Sequence, residues 1–143
     1  MSAPGRFSIE PTASNHFAWF NTRQALERTF MAWIRTAVSL ISFGFTIVQF
    51  FQRMPQMQGA AAARPFNPEA PRILGLALIG AGVVSLAISS WQYRQGVKYM
   101  WQPKFNAIAG IDDRPHATPV LTVALVLSLI GLFAFLSVFV RLA

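Results

Sequence analysis

Three continuous apolar runs dominate the sequence and leave few folds open to it. They extend over residues 31–52, 73–92 and 119–140. Each is close to the roughly 20 residues that a helix needs to cross about 30 Å of hydrocarbon. Strands of membrane barrels instead alternate apolar and polar residues over about ten positions. The runs therefore predict an all-α integral membrane protein, built as a three-helix bundle.

The composition excludes several other classes of protein. Charged residues make up 12% of the chain, whereas soluble domains average about 25%. The chain has no cysteine, which rules out a disulfide scaffold, a thiolate metal site and cysteine catalysis. The net charge of +7 is typical of nucleic-acid binding only where it forms a stripe on a soluble surface. Here the basic residues lie between the apolar runs, so we expect no nucleic-acid partner.

Lysine and arginine predict the orientation, because they resist transfer across the membrane. Eight are assigned to one side: Arg35 near the start of the first run, and Arg6, Arg23, Arg28, Arg94, Lys98, Lys104 and Arg114 before that run or between the second and third. Four lie on the other side, namely Arg53, Arg64, Arg72 and Arg141. We therefore expect a cytoplasmic amino terminus and an outside carboxyl terminus, in a multi-pass protein of the bacterial inner membrane.

The runs also predict the organisation of the chain. Residues 1–20 form a cytoplasmic or interfacial segment, and residues 21–143 form one three-span domain with an outside loop at 53–72 and a cytoplasmic loop at 93–118. Prolines predict that the outside loop is irregular, because proline removes a backbone donor; they are Pro55, Pro65, Pro68 and Pro71. Asn21 with Gln24 resembles a weak capping box that opens the first helix, and Thr118-Pro119 resembles the start of the third.

The first apolar run carries a polar stripe. Alternate steps of four and three residues meet Arg28, Ala32, Arg35, Ser39, Ser42, Thr46, Gln49 and Arg53. At about 100° per residue these positions fall within an arc of roughly 100°. We call them the helix-one stripe. Because hydrocarbon does not satisfy polar groups, we expect the stripe to face protein or water.

Two interpretations of the helix-one stripe remain open. Ser39, Ser42 and Thr46 are small residues that allow close helix packing in membranes. Arg28, Arg35 and Gln49 have long polar side chains, and a charge at mid-bilayer costs at least ~2.5 to 3.5 kcal/mol. These residues favour a stripe that lines an aqueous or anion-binding path in a homo-oligomer.

The other helices contribute small faces and two basic residues. Gly75, Gly82 and Ser89 recur at seven-residue intervals in the second run, and Ala124, Ser128 and Gly131 share a face in the third. Such faces predict close backbone approach. Beyond the second run, Arg94 and Lys98 are spaced i, i+4, which predicts a basic helical extension that binds lipid phosphates or marks the cytoplasmic side.

Glu27 is the only acid between Glu10 and Glu69. On an ideal helix it is too far from Arg35 for a direct pair, whereas Arg23 is one turn away. It forms either a surface pair with Arg23 or an ion pair with Arg35 or Arg94 of another helix or subunit.

Motifs for catalysis are missing from the sequence. It contains no glycine-rich phosphate loop, His-Glu-x-x-His or Gly-x-Ser-x-Gly. Asp112-Asp113 is better explained as a solvated turn than as a metal site, because two carboxylates do not complete an octahedral shell. We expect no enzyme activity, no cofactor and no metal.

The stretch LERTFMAWIRT at Leu26–Thr36, which continues as AVSLISFGF to Phe45, resembles the YidH family of small bacterial inner-membrane proteins. This domain of unknown function also forms the membrane part of the vacuolar transporter chaperone complex. In that complex, three-helix subunits surround a pore for inorganic polyphosphate, with basic residues facing it. The resemblance implies this role for Arg28 and Arg35, with Glu27 as the adjoining acid.

Two functions follow as hypotheses. One is an oligomeric subunit whose helix-one stripe lines a path for a phosphate-rich anion. The other is a structural, lipid-binding or assembly subunit without transport activity. Membrane lipids are partners in both.

Overall fold

The computed structural model describes residues 10–57, 69–110 and 119–140. Helix α1 spans Ala13–Met57, α2 spans Ala70–Met100, α3 spans Asn106–Ala109 and α4 spans Pro119–Val140. Within these residues there is no strand. Helices α1, α2 and α4 are long and apolar enough to cross a membrane. The all-α fold with three candidate membrane spans is confirmed.

Helix α1 begins earlier than the sequence predicted. Thr12 caps it, because the Thr12 hydroxyl accepts a hydrogen bond from the backbone N–H of Asn15 at 3.2 Å. This is an N-cap bond to the N3 position. Asn21 lies inside the helix, so the predicted capping box at Asn21 and Gln24 is wrong. The proposed division at residue 20 does not coincide with any break in the helix.

The length of α1 carries it well out of the bilayer. Its 45 residues extend over about 67 Å at 1.5 Å per residue, about twice the thickness of the hydrocarbon core. Residues 13–30 therefore form an extension that precedes the first span. Helix α2 similarly continues to Met100, which confirms the helical extension through Arg94 and Lys98.

The ends of the loop at 53–72 are helical, contrary to the expectation of an irregular connector. Helix α1 continues to Met57, through position 55, and α2 begins at Ala70. Pro71 occupies the first turn of α2, where the missing N–H would have no partner in any case. Pro65 and Pro68 lie outside the described residues, as does Thr118, although α4 does begin at Pro119.

Helices α1 and α2 approach each other through small residues. A Cβ atom added to Gly44 would lie 2.6 Å from the backbone oxygen of Gly75, and one added to Gly82 would lie 2.8 Å from the oxygen of Ala37. Gly75, Gly82 and Ser89 are all buried, so the small face predicted for the second span is confirmed. Gly44 was not predicted as a contact residue.

Helix α4 packs more lightly on this pair. Its buried residues are Ala124, Gly131 and Val138, one every seven residues. A Cβ atom on Gly131 would meet Ile41 at 2.8 Å and Val83 at 2.9 Å, so Gly131 lies between α1 and α2. Ala124 and Gly131 confirm the predicted small face of the third span, with Ser128 half-buried beside them.

The extensions of α1 and α2 pack together beyond the spans. The ring of Trp19 meets that of Trp101 edge to face, with centroids 5.6 Å apart, and its Nε1 donates to the carbonyl of Met100 at 3.3 Å. His16 Nδ1 donates to the carbonyl of Ile108 at 2.8 Å. The bond from His16 holds the short helix α3 against α1. Gly110, with φ of 64°, follows the last residue of α3.

The close approach of α1 and α2 makes Gly82 intolerant of a side chain. In G82A the added methyl group would overlap the Ala37 carbonyl and Ile41, and we expect a loss of about 1–3 kcal/mol in the free energy of unfolding. Unfolding by sodium dodecyl sulfate in mixed micelles, followed by circular dichroism, measures this loss.

G96A is the matched control. Both substitutions gain the same helix propensity, but at Gly96 the new Cβ would meet only the flexible end of Leu26, at 3.3 Å. Equal unfolding curves for G82A and G96A would contradict the close contact between α1 and α2 at Gly82.

Candidate functional site

The helix-one stripe lies on the outer surface of the chain. Ala37 and Val48 are fully buried. Ser39 and Thr46 each lie two residues from one of them, about 200° around the helix. The exposed residues of the stripe are Arg28, Ala32, Arg35, Ser39, Ser42, Thr46 and Arg53, while Gln49 is half-buried. The stripe therefore lies on the face of α1 opposite its contact with α2.

Two hydroxyl groups of the helix-one stripe find partners inside α1. Ser39 donates to the carbonyl of Arg35 at 2.9 Å, and Thr46 donates to the carbonyl of Ser42 at 2.8 Å. Such bonds to the preceding turn satisfy the donor within the helix. These two hydroxyl groups therefore remain hydrogen-bonded even in contact with hydrocarbon, contrary to the expectation from the sequence. The requirement for water or protein rests on Arg28, Arg35 and Gln49.

A groove of about 510 Å³ opens at the amino-terminal end of the stripe. It is lined by Gln24, Glu27, Arg28, Met31, Ala32, Arg35 and Val120. Val120 belongs to the first turn of α4, so the groove lies between α1 and α4. Its lining combines two guanidinium groups and one carboxylate with apolar walls. We call it the α1–α4 groove.

Glu27 is held from two sides. Its Oε1 lies 3.7 Å from Nε of Arg23, so the pair predicted with Arg23 is the one that forms. The hydroxyl of Tyr93 donates to the same oxygen at 3.4 Å, a contact that the sequence did not indicate. The ring of Tyr93 stacks on Phe30 at 4.6 Å, which fixes the position of its hydroxyl.

Within the described part of the chain, the two arginines of the groove have no carboxylate partner. Among residues 10–57, 69–110 and 119–140, the ion pair is that of Arg23 with Glu27, so neither Arg28 nor Arg35 is neutralised by the described part of the chain. Two uncompensated cations on one face of a helix attract anions.

Arg94 and Lys98 lie apart from the groove. Both are exposed on α2, and neither is among the residues that line the α1–α4 groove. Lys98 belongs to the last turn of α2, where a cation interacts favourably with the helix dipole. The predicted site residues thus divide into the helix-one stripe on α1 and a separate basic pair on α2.

The described residues offer no cluster for a metal ion. Within them, no group of three or more histidine, cysteine, aspartate or glutamate side chains comes together. Asp112, Asp113 and Arg114 lie outside the described residues. The groove instead has the chemistry of an anion or headgroup site.

The three long apolar helices and the outward arginines define a multi-pass membrane protein. Residues 21–99 match a family model described as a domain of unknown function, DUF202. This match covers more than half of the chain, so the chain belongs to that family. The match also confirms the resemblance seen at Leu26–Thr36. It includes the first two spans and ends before α3. No curated protein and no solved structure matches the chain.

The outward position of the stripe predicts which substitutions the protomer tolerates. Ser42 is exposed, so S42L meets no neighbouring helix of the same chain, and we expect an unfolding free energy within about 0.5 kcal/mol of the native value. A37L is the contrasting variant, because Ala37 is fully buried against Gly82 and overpacking there costs about 1–3 kcal/mol or more.

Unfolding in dodecyl sulfate, at protein concentrations low enough to favour single chains, compares the two variants. A loss of stability in S42L as large as in A37L would place Ser42 inside the protomer core and contradict the assigned rotation of α1.

Proposed function

We propose that the chain is a homo-oligomeric subunit of the bacterial inner membrane, in which the helix-one stripes of neighbouring copies face a shared polar axis that accepts phosphate-rich anions. Its amino terminus is cytoplasmic and its carboxyl terminus is outside. The observation that carries this proposal is the position of the stripe, which is exposed on the face opposite the contact between α1 and α2.

Energetic cost supports an assembly that covers this face. Arg35 lies in the first span and is exposed, and a charge at the centre of a bilayer costs at least ~2.5 to 3.5 kcal/mol. Extension of the side chain toward the headgroups lowers the cost. Assembly around a polar axis lowers it further, because the arginines then face water or a bound anion rather than acyl chains.

The chemistry of the axis favours phosphate-rich anions. Each copy brings Arg28 and Arg35, and guanidinium groups form paired hydrogen bonds with phosphate oxygens. Several copies would multiply this charge around one axis. We propose no catalytic activity, no cofactor and no nucleic-acid partner.

Cross-linking tests the assembly. Because the native chain has no cysteine, S42C carries a single thiol on the stripe, and I88C carries one on the exposed apolar surface of α2. We expect a homobifunctional maleimide to link S42C into covalent oligomers in native membranes at least about ten times faster than I88C, because effective concentration is raised at a held contact. Equal rates, or no linkage of S42C, would exclude the stripe as the shared surface.

Conductance tests the path. Purified oligomers in liposomes should pass anions in preference to cations, and R35E should reverse or abolish this preference because it places a negative charge on the axis. R94E makes the same change in charge outside the groove and should leave the selectivity unchanged. Intact oligomers without any conductance would favour the alternative function, a structural or lipid-binding subunit, which the apolar walls of the α1–α4 groove support.

A further inference from the structure

The α1–α4 groove contains a carboxylate, which a site for anions alone would not favour. Glu27 lines the groove together with Arg28 and Arg35, and a negative charge beside a bound anion weakens its binding. Three charges of two signs in one groove instead complement a headgroup that carries both a negative and a positive group.

Charges of both signs lie toward the headgroup end of the first span. If the centre of the first span lies near Ser42, then at 1.5 Å per residue Arg35 lies about 10 Å from the midplane, Arg28 about 21 Å and Glu27 about 22 Å. Helical side chains tilt toward the amino terminus, so the guanidinium of Arg35 rises toward Arg28. Because Glu27 lines the same groove as the two arginines, an ammonium group attached to a phosphate held by Arg28 and Arg35 would have this carboxylate as its partner.

The walls of the groove suit the rest of such a molecule. Met31 is 48% exposed, and Ala32 and Val120 complete the apolar side of the lining. Beyond Val120, the surface of α4 continues with the exposed Val123. Glycerol and the first methylene groups of the acyl chains would therefore meet apolar side chains.

Glu27 retains capacity for a further donor. A carboxylate has about four lone-pair sites, and its contacts with Arg23 at 3.7 Å and Tyr93 at 3.4 Å are long and both involve Oε1. Its side chain is 36% exposed. A primary ammonium group has three N–H donors for this carboxylate, whereas a quaternary ammonium has none.

We infer that the α1–α4 groove binds a cytoplasmic-leaflet phospholipid with a primary ammonium headgroup, its phosphate held by Arg28 and Arg35 and its ammonium by Glu27. The groove shares both arginines with the proposed anion axis, but the headgroup contacts named here use residues of a single chain. The lipid site therefore does not depend on assembly or conductance.

Lipid retention by the full-length protein tests this inference. The protein is reconstituted with dioleoyl phosphatidylethanolamine, its mono- and dimethyl derivatives, phosphatidylcholine and phosphatidylglycerol in equal amounts, then extracted in mild detergent and analysed by native mass spectrometry. We expect phosphatidylethanolamine to be retained about tenfold more than phosphatidylcholine, the ratio that one hydrogen bond to a charged group supports, with the methylated lipids in between.

Variants separate the two halves of the headgroup. E27Q should bring the ratio of phosphatidylethanolamine to phosphatidylcholine close to one, and R35Q should reduce the retention of all the phospholipids. K104Q, which removes an exposed cation outside the groove, is the control and should match the native protein. The comparison of phosphatidylethanolamine with its methylated derivatives uses only the native protein. It therefore tests the inference even if E27Q fails to fold.

Three results would overturn the inference. They are equal retention of phosphatidylethanolamine and phosphatidylcholine by the native protein, preferential retention of phosphatidylglycerol, and a folded E27Q that keeps the native preference. Displacement of bound lipid by inorganic phosphate at millimolar concentration would identify a site for free phosphate instead. None of these results bears on the cross-linking of S42C, so failure of the lipid site is distinguishable from failure of the oligomer.

Discussion

Close contact between the backbones of α1 and α2 determines how the rest of the chain is arranged. In a bilayer the hydrophobic effect does not drive helices together, because acyl chains are as apolar as leucine. Association depends on van der Waals contact, which requires small residues. Gly44 lies against Gly75, and Ala37 lies against Gly82. These two contacts fix the rotation of α1 about its axis and so direct the helix-one stripe away from its own chain.

The elements that could be predicted are those encoded by local sequence patterns. Apolar length indicates a span whatever its neighbours are, and seven-residue spacing of small residues identified Gly75 and Gly82 as contacts. Contacts between distant segments carry no such periodic pattern. The contact between Trp19 and Trp101 depends on how the end of α2 packs against the start of α1. The bond from Tyr93 to Glu27 depends on the register between the same two helices. Both required the structure.

The stripe shows where reasoning from polarity alone fails. Its periodicity correctly predicted a single face, but serine and threonine are not equivalent to arginine in a membrane helix. Ser39 and Thr46 donate to the carbonyl groups of the preceding turn, so exposure of these residues to lipid leaves no donor unpaired. Arginine has five donors and a charge, which the backbone of its own helix cannot satisfy. The need for a polar or protein environment therefore comes from the arginines at the amino-terminal end of the stripe rather than from the hydroxyl groups at its centre.

The α1–α4 groove also depends on the core. Phe30, Ile34, Ala37 and Ala124 belong to one buried cluster, and Val120 packs against it. Val120 precedes Ala124 by one helical turn, so the packing of Ala124 brings the first turn of α4 beside Arg28. Tyr93 belongs to the same cluster and donates to Glu27 from the other side. One set of apolar contacts thus positions both the wall and the carboxylate of the groove, and a change in helix packing would alter the charges that a ligand meets there.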